Sequence, residues 1–402
     1  MRALDATLAF VAGTADAFAW HAGLLSRWII EAGLPQTKIG LGRDLHRLAL
    51  WTEQLLQRSR ELGVDINERS LRRGAAARAA AERLRSAAAA GTNVALHRAL
   101  EGSLQDTVER AASQPAVLDE PTRELFAAMS ASLHRAPLHR VDAEEPGLWP
   151  LREGVPAEAA SLGELAGVTP GRSARLFRGT EPAQPFEPAT DARASAIAFL
   201  HHNLTELELP TMESCCRLLL ECDMLPWAFA ADMARQCWDE ARHAQAFMQR
   251  LQQLGGEVGC HAHTHQLWEM TADLPPAVRL AVHQRIGEWV GVDGALWNAE
   301  RFRRLGDEAT ADALDFIARD EITHVAFGNR WIRWLHPSDA EVEAVAAEAL
   351  KRRRAFGKPV DGPAVFPFNR WACERAGFTA DEVQALEREA LARGSRFERF
   401  EP

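Results

Sequence analysis

Two Glu-x-x-His motifs constrain this chain of 402 residues more than any other feature of its sequence. One runs from Glu240 to His243 within "CWDEARHAQAFMQRL", and the other from Glu321 to His324 within "RDEITHVAFGNRW". In both stretches apolar residues recur at steps of three and four, which is typical of a helix packed in a bundle. Glu321, His324 and Glu240 occupy these apolar seams, and His243 follows Glu240 by three residues. Because an unpaired buried carboxylate is costly, the repeat indicates a metal ion as the compensating charge.

Two further glutamates complete a set of ligands. A di-metal carboxylate bundle takes one more Glu from each of two other helices. Glu208 lies 32 residues before Glu240, and Glu288 lies 33 residues before Glu321. Equal separations are expected when both pairs lie at one height in antiparallel hairpins. The sequence therefore predicts six metal ligands: Glu208, Glu240, His243, Glu288, Glu321 and His324.

The residues between these ligands predict the connections. The midpoints of the two separations fall beside Pro226 and Gly306, both of which end helices. Between the two hairpins lies the long stretch "LGGEVGCHAHTHQLWEMTADLPP", in which Pro275 and Pro276 would open the third helix. A long crossover at this point is typical of a ferritin-like bundle. We therefore expect an all-α protein with a ferritin-like four-helix bundle and an additional N-terminal helical domain.

Composition along the chain predicts three regions. Residues 1–136 form an N-terminal helical domain, since amphipathic segments are broken only at short Gly-, Pro- and Asn-containing stretches. Residues 137–190 are rich in Pro and Gly and form a linker or an irregular wrapping segment. Residues 191–402 form the ferritin-like di-metal domain with a C-terminal extension, whose last helix has Thr379 as its N-cap.

Other acidic residues are assigned around the ligands. Asp239 and Asp320 each precede a motif glutamate, where a carboxylate can accept a hydrogen bond from a ligand imidazole, so we expect them to support the ligands; a solvated helix acid is the alternative. Glu206 and Glu213 compete weakly for the position of the first-helix ligand. Pro210 predicts a local kink in that helix.

Charge and cysteine content narrow the class of protein. The 46 basic and 56 acidic residues give a formal net charge of −10, which makes a nucleic-acid partner unlikely. The six cysteines form no CxxC pair, as expected of reduced thiols. No apolar run reaches the ~18 residues of a membrane span, and Asp5 and Asp16 interrupt the N-terminal stretch. We expect a soluble, cytoplasmic protein.

The second half of the chain resembles the ferritin-like superfamily, and more narrowly a bacterial group of unassigned function. The stretches "DEARH", "LWEM", "RDEITHVAFGNRW" and "FPFNRWACERAGF" carry this resemblance, which covers about residues 195 to 390. The superfamily implies a non-haem di-iron or iron–manganese centre bound by the six residues above. In the narrower group a His stands two residues before the first-helix ligand, where this chain has Glu206.

Our leading interpretation is an oxidoreductase or oxygenase that uses two Fe ions, or Fe and Mn, with O₂ as co-substrate to oxidise a small organic molecule. The electron donor is unknown, and the sequence allows a homodimer. An alternative is a ferroxidase or other iron-handling protein, although the long extra domain argues against a cage. A metal-stabilised partner-binding module and a tRNA-modifying hydroxylase are further alternatives, and the acidic charge weakens the last.

Overall fold

The computed structural model describes residues 3–112, 119–141, 145, 147–149, 151, 162, 165, 168–177, 192–358 and 369–392. Throughout these residues the regular structure is helical and no strand occurs, so the predicted all-α class is confirmed. The α-helices in chain order are α1 (Ala3–Glu31), α2 (Pro35–Glu61), α3 (Ala75–Ala88), α4 (Asn93–Ala112), α5 (Glu120–Arg135), α6 (Ala192–His202), α7 (Leu209–Glu221), α8 (Trp227–Gln253), α9 (Gln266–Thr271), α10 (Pro276–Leu280), α11 (Glu288–Arg304), α12 (Glu308–Leu335), α13 (Asp339–Ala355), α14 (Arg370–Arg375) and α15 (Ala380–Ala392). Two π-helical turns, Asn203–Glu208 and Ala281–Gly287, and a 3₁₀ turn, Glu68–Ser70, supplement them.

The chain divides into two compact units that interleave along the sequence. Unit 1 comprises Met1–Glu181, Glu208–Gln245 and Val258–His263, and unit 2 comprises Pro182–Leu207, Ala246–Glu257 and Thr264–Pro402. Helix α7 and most of α8 thus belong to the same unit as the N-terminal helices. The domain boundaries predicted from composition, at residues 136 and 190, stay a prediction.

In unit 1, α1 is the central helix and packs along α2, α3 and α7. From Ala15 to Ala32 every residue of this helix and its end is buried, because the sequence there is mostly apolar, and Arg27 and Glu31 pair with each other. Gly42 of α2 lets α8 approach closely, since a Cβ at that position would lie 3.1 Å from the Ala241 side chain. The hairpin of α7 and α8, which carries three of the predicted ligands, therefore has α1 and α2 as part of its core.

A fully buried ion pair ties the N-terminal helices to α7. Lys38 Nζ lies 2.9 Å from the carboxylate of Glu213, and Arg172 binds the same carboxylate. Burial lowers the pKa of Lys38, and Glu213 offsets part of that shift. Removing one member of such a pair leaves an uncompensated buried charge, which costs about 3–5 kcal/mol.

The described residues between 137 and 177 lie outside regular helices and wrap around the end of α1. The carboxylate of Glu145 accepts hydrogen bonds from the amides of Gly33 (2.7 Å) and Leu34 (2.9 Å). Gly171 approaches so closely that a Cβ there would lie 2.0 Å from the carbonyl oxygen of Glu31. The remainder of the Pro/Gly-rich stretch predicted from 137 to 190 lies outside the described residues.

In unit 2, α11 and α12 form a hairpin, and α14 packs against α12. The turn at Gly306 adopts a positive φ of 77°, which explains why glycine ends the first of these helices. Asp307 then caps α12 by accepting a hydrogen bond from the amide of Thr310 (3.1 Å). Buried and partly buried apolar residues join α11, α12 and the C-terminal segment: Trp289, Val292, Leu296, Ile322, Val325, Trp371, Ala372, Ala376 and Phe378.

Most predicted helix ends are confirmed. The first ligand hairpin turns between Glu221 and Trp227, beside Pro226. Pro276 opens α10 as predicted, with Pro275 as its N-cap residue. At α15 the Thr379 hydroxyl accepts from the amide of Glu382 (3.3 Å), which confirms the predicted N-cap. The short helices α9 and α14 are additions within stretches that we expected to be loops.

Helix α1 is apolar on average over its whole length, although charged residues interrupt its apolar runs. By length and composition alone, Leu4–Glu31 could cross a membrane. In the structure, however, 72% of its most apolar window is buried against protein. This is the burial expected of a core helix.

Stability should fall in acid because of buried imidazoles. Burial lowers the pKa of His21 to about 4, with Arg83 adding to the shift, and burial lowers that of His202 to about 4 as well. The unfolded chain binds these protons near pH 6.5, so the stability is complete above that pH and is lost as the pH falls towards 4. For His21 alone the loss amounts to roughly 3 kcal/mol.

Urea unfolding at pH 7, 5.5 and 4.5 tests this expectation. His21→Leu should unfold with a shallower dependence on pH than the parent protein. A variant with the full parental dependence would show that His21 does not contribute to it.

The close approach of α12 to the second π-helical turn leaves no room for a side chain at Gly328. A Cβ at this position would lie 2.6 Å from the Cβ of Gln284 and 3.1 Å from the amide nitrogen of Arg285. Gly328→Ala should therefore destabilise the protein by about 1–3 kcal/mol. Gly102→Ala is the control, because a Cβ there meets nothing within 4 Å and should stabilise α4 by about 0.5–1 kcal/mol. Thermal unfolding of both variants gives the comparison.

Candidate functional site

A π-helical turn lies at each glutamate predicted on the first helix of a hairpin. The turn Asn203–Glu208 ends at Glu208, and the turn Ala281–Gly287 ends at the residue before Glu288. In the first case Pro210 is the cause, because proline has no N–H to bond the carbonyl four residues earlier and the chain widens by one residue. The kink predicted at Pro210 stays a prediction, and the structure shows the π-helical turn beside it. Single π-helical turns occur frequently at functional sites.

The first trio consists of Glu208, Glu240 and His243 in unit 1, each of which offers a ligand atom within 4.8 Å of the others. His243 Nδ1 lies 3.2 Å from Glu240 Oε2 and 3.4 Å from Glu208 Oε2. All three side chains are buried. The imidazole of the Glu-x-x-His motif therefore faces both carboxylates at once.

Burial and like charge make this arrangement costly without a positive charge. Burial raises the pKa of Glu208 well above its ordinary value, and the carboxylate of Glu240 raises it further, while His243 acts in the opposite direction. Gln236, one turn before Glu240 on α8, donates a hydrogen bond of 3.1 Å to Glu240 Oε1. This amide holds the carboxylate in place. Its spacing of four residues from Glu240 is a signal in the sequence, although a pattern of acids and histidines alone does not include it.

The second trio consists of Glu288, Glu321 and His324 in unit 2, and their ligand atoms also lie within 4.8 Å of one another. His324 Nδ1 lies 2.9 Å from Glu321 Oε2, and its ring is fully buried. A Cβ added at Gly291 would lie 3.9 Å from Glu288 Oε2 and 3.9 Å from Glu321 Cδ. The two carboxylates thus face the same point on α11.

Arg353 is a further charged residue near the second trio. This buried side chain donates a hydrogen bond of 2.8 Å to the carbonyl of Val282, in the π-helical turn before Glu288. Burial lowers the pKa of its guanidinium to about 10, and Glu288 partly offsets the shift. The sequence could not have identified it, since the run "KRRR" does not show which arginine points inward.

The composition of both trios fits a divalent transition metal. Carboxylate oxygens and imidazole nitrogens are ligands that iron, manganese and zinc accept. A cation would also compensate the carboxylates that burial destabilises. The structure brings the six predicted ligands together as two matching trios, one in each unit, and each trio is a carboxylate and histidine cluster that could bind a metal ion.

The glutamates that competed with Glu208 have other partners. Glu206 accepts hydrogen bonds from both the amide (2.8 Å) and the hydroxyl of Thr264. Glu213 belongs to the buried ion pair with Lys38. Both carboxylates are thus engaged in hydrogen bonds or ion pairs with other protein groups, which favours Glu208 as the predicted ligand on the first helix.

Asp239 and Asp320 differ in their surroundings. Asp239 is buried and accepts hydrogen bonds from Arg235 (2.8 Å to Oδ2) and from Arg242, both on its own helix. Asp320 is half-buried on α12. The expectation that these two acids hold a ligand imidazole stays a prediction.

None of the comparisons with known proteins assigns an activity to this chain. A family model described as "Protein of unknown function (DUF455)" matches residues 130–384, a range that contains both trios. An uncharacterized protein of Haemophilus influenzae is 33% identical over 106 residues, which are 26% of this chain. The match spans 37% of the length of that relative. No solved structure matches the chain.

Replacing a ligand of either trio should remove metal. Glu240→Ala and Glu321→Ala should each lower the number of bound ions, because each removes a carboxylate that faces an imidazole within 3.2 Å. Elemental analysis of protein loaded with Fe²⁺ without O₂ gives the count. Glu206→Gln is the control, since an amide oxygen still accepts from Thr264. Equal metal content in all the variants would contradict the ligand assignment.

Proposed function

The chain belongs to the family described as protein of unknown function (DUF455), and we propose from its own residues that it is an oxidoreductase with two iron ions. In this proposal it uses O₂ to oxidise a small organic substrate. One observation carries the proposal. The same trio of two carboxylates and one imidazole occurs twice, each time beside a π-helical turn. Chance places one such trio in a helical protein more readily than two.

In our proposal the two trios form one dinuclear centre of a ferritin-like bundle. The nearly equal separations of 32 and 33 residues within the two hairpins support it, as do the turns found at both midpoints. Four glutamates carry four negative charges, which two divalent ions would balance. Two iron ions, or iron and manganese, would supply the electrons with which O₂ is reduced.

The chain's own residues would bind and orient the reactants. The surrounding protein shields the carboxylates from solvent, and Gln236 restricts the orientation of Glu240. The chain contains no tyrosine, so it cannot store an oxidising equivalent as a tyrosyl radical. This absence favours direct use of that equivalent on a bound substrate. An oxygenase or oxidase acting on a small molecule is therefore our first choice.

Iron handling, as a ferroxidase or storage protein, is the second candidate, since it would use the same ligands. The packing of unit 1 disfavours a storage cage. Helices α1 and α2 cover part of the α7–α8 hairpin, and Lys38 is sealed within that contact. A third candidate is a metal-stabilised partner-binding module, which would bind zinc and be inert to O₂.

Location and partners follow from the same features. The described cysteines are free, and five of the six are buried, as expected of a cytoplasmic protein. Beyond the substrate, the centre needs an electron donor. The acidic net charge disfavours nucleic acid as substrate. A homodimer is compatible with the proposal.

Metal loading tests the dinuclear centre. We expect two ions per chain after loading with Mn²⁺, because each trio supplies two carboxylates and one imidazole. Joined trios would give the multiline paramagnetic resonance spectrum of a coupled pair. Two isolated six-line signals would show two separate mononuclear sites, and fewer than two ions in folded protein would refute the six-ligand assignment.

Oxygen consumption separates the candidate functions. After Fe²⁺ loading, the oxidoreductase should consume O₂ in proportion to oxidised organic product when extracts of small molecules are added. Glu240→Ala is the matched control and should form no such product. Consumption of O₂ that depends only on added iron, with ferric mineral accumulating, would favour iron handling. Full occupancy by zinc without reaction with O₂ would favour the binding module.

A further inference from the structure

Two sequence motifs lie outside the ligand set and yet meet in unit 2. One is "GNRW" at the end of "RDEITHVAFGNRW", and the other is "NRWACERAGF", the described part of "FPFNRWACERAGF", which contains α14. Asn329 of the first motif donates a hydrogen bond of 2.7 Å to the carbonyl of Ala376 in the second. Arg319 of α12 also stacks on Trp371, 4.8 Å from its ring centroid. The two motifs are thus two sides of one contact.

Arg285 joins this contact to the second π-helical turn. Its guanidinium donates to Asn329 Oδ1 with one arm and to Glu382 Oε1 (2.6 Å) with the other. The same group lies over the ring of Phe378, 4.7 Å from the centroid. Glu382 is itself fixed, because it accepts from the amide of Thr379 (2.7 Å) at the start of α15. We call Arg285, Asn329, Glu382 and Phe378 the clasp.

The two π-helical turns differ in what enforces them. Pro210 removes a backbone donor after the first turn, so that turn is built into the covalent chain. The second turn, "AVHQRIG", contains no proline and could equally continue as an α-helix. Its unusual conformation therefore needs tertiary contacts, and Arg285 in its middle supplies them. Gly328 of α12 presses against the same turn through Gln284.

The conformation of this turn determines where Glu288 points. A π-helical turn holds one residue more than an α-helical turn, so closing it to an α-helix rotates the following residue by about 100° around the helix axis. Such a rotation would move Glu288 away from Glu321 and His324. The geometry points to the clasp as a set of positioning residues that keep the second π-helical turn open and thereby aim Glu288 at the second metal position. This inference rests on the proposed metal centre.

Hydrogen exchange and metal binding on the full chain test the clasp together. Arg285→Lys keeps the charge but loses the two-armed contact with Asn329 and Glu382. Asn329→Ala removes the link to Ala376. Both variants should exchange the amides of residues 281–287 about tenfold faster than the parent. Both should bind one of two Fe²⁺ ions about 10–100-fold more weakly in a chelator competition without O₂, while the other ion is unaffected.

The matched control is Arg370→Ala, which breaks an exposed ion pair with Glu387 between α14 and α15 but leaves the clasp intact. It should retain parental exchange and affinity for both ions. Circular dichroism and urea midpoints confirm that each variant is folded. An Asn329→Ala variant that fails to fold leaves Arg285→Lys, at the edge of the same contact, to decide the matter.

The outcomes separate the clasp from the proposed function. Faster exchange at 281–287 with weaker binding of one ion supports the inference. Unchanged exchange, or faster exchange with parental affinity for both ions, overturns it. A parent protein that binds no Fe²⁺ refutes the dinuclear centre, and it also refutes the role of the clasp in directing Glu288 towards a metal. In that case the exchange rates of residues 281–287 still show whether the clasp holds the π-helical turn.

Discussion

Moving carboxylates out of water into the protein interior costs free energy, and this cost is the main physical constraint on the structure. Glu208, Glu240 and Glu321 are buried in helix seams, where apolar side chains would pack at lower cost. Their negative charges have imidazoles as close neighbours, and burial raises the pKa of Glu208 well above its ordinary value. A protein retains such an arrangement when the charges have a use. The same physical demand explains why the ligands occur as trios and not as single acids.

The backbone around the trios is shaped to meet that demand. Both first-helix glutamates lie at a widened turn, although the chain produces the two turns by different means. The turn that ends at Glu208 has a local cause, since Pro210 has no backbone N–H to donate. Before Glu288 the cause is tertiary, through Arg285 and a glycine contact from α12. The second turn is therefore in contact with a residue almost a hundred positions further along the chain, since Arg285 binds Glu382.

Sequence periodicity predicted the helices and the turns, because seams and helix breakers are local signals. It also selected six residues that the structure gathers into two clusters of carboxylates and imidazoles, and their role as metal ligands stays a prediction. It could not predict which charged residues turn inward, as Arg353 and Lys38 do, since their partners lie far away in sequence. The π-helical turn before Glu288 was also beyond prediction, because no residue within it requires that conformation. Glu213 shows the same limit. In the sequence it competes weakly with Glu208 for the ligand position, and its contacts with Lys38 and Arg172 reveal its role.

The buried pair of Lys38 and Glu213 has a consequence for how this chain can be divided. Each partner belongs to a different predicted domain, and neither side chain reaches solvent. A fragment that starts near residue 191 would expose α7 and leave Glu213 without its lysine. The helical region before residue 136 is thus no detachable appendage. Recombination of this gene with another at that border would have to supply a new cation at the same place, which makes the border a poor site for exchange of modules in evolution.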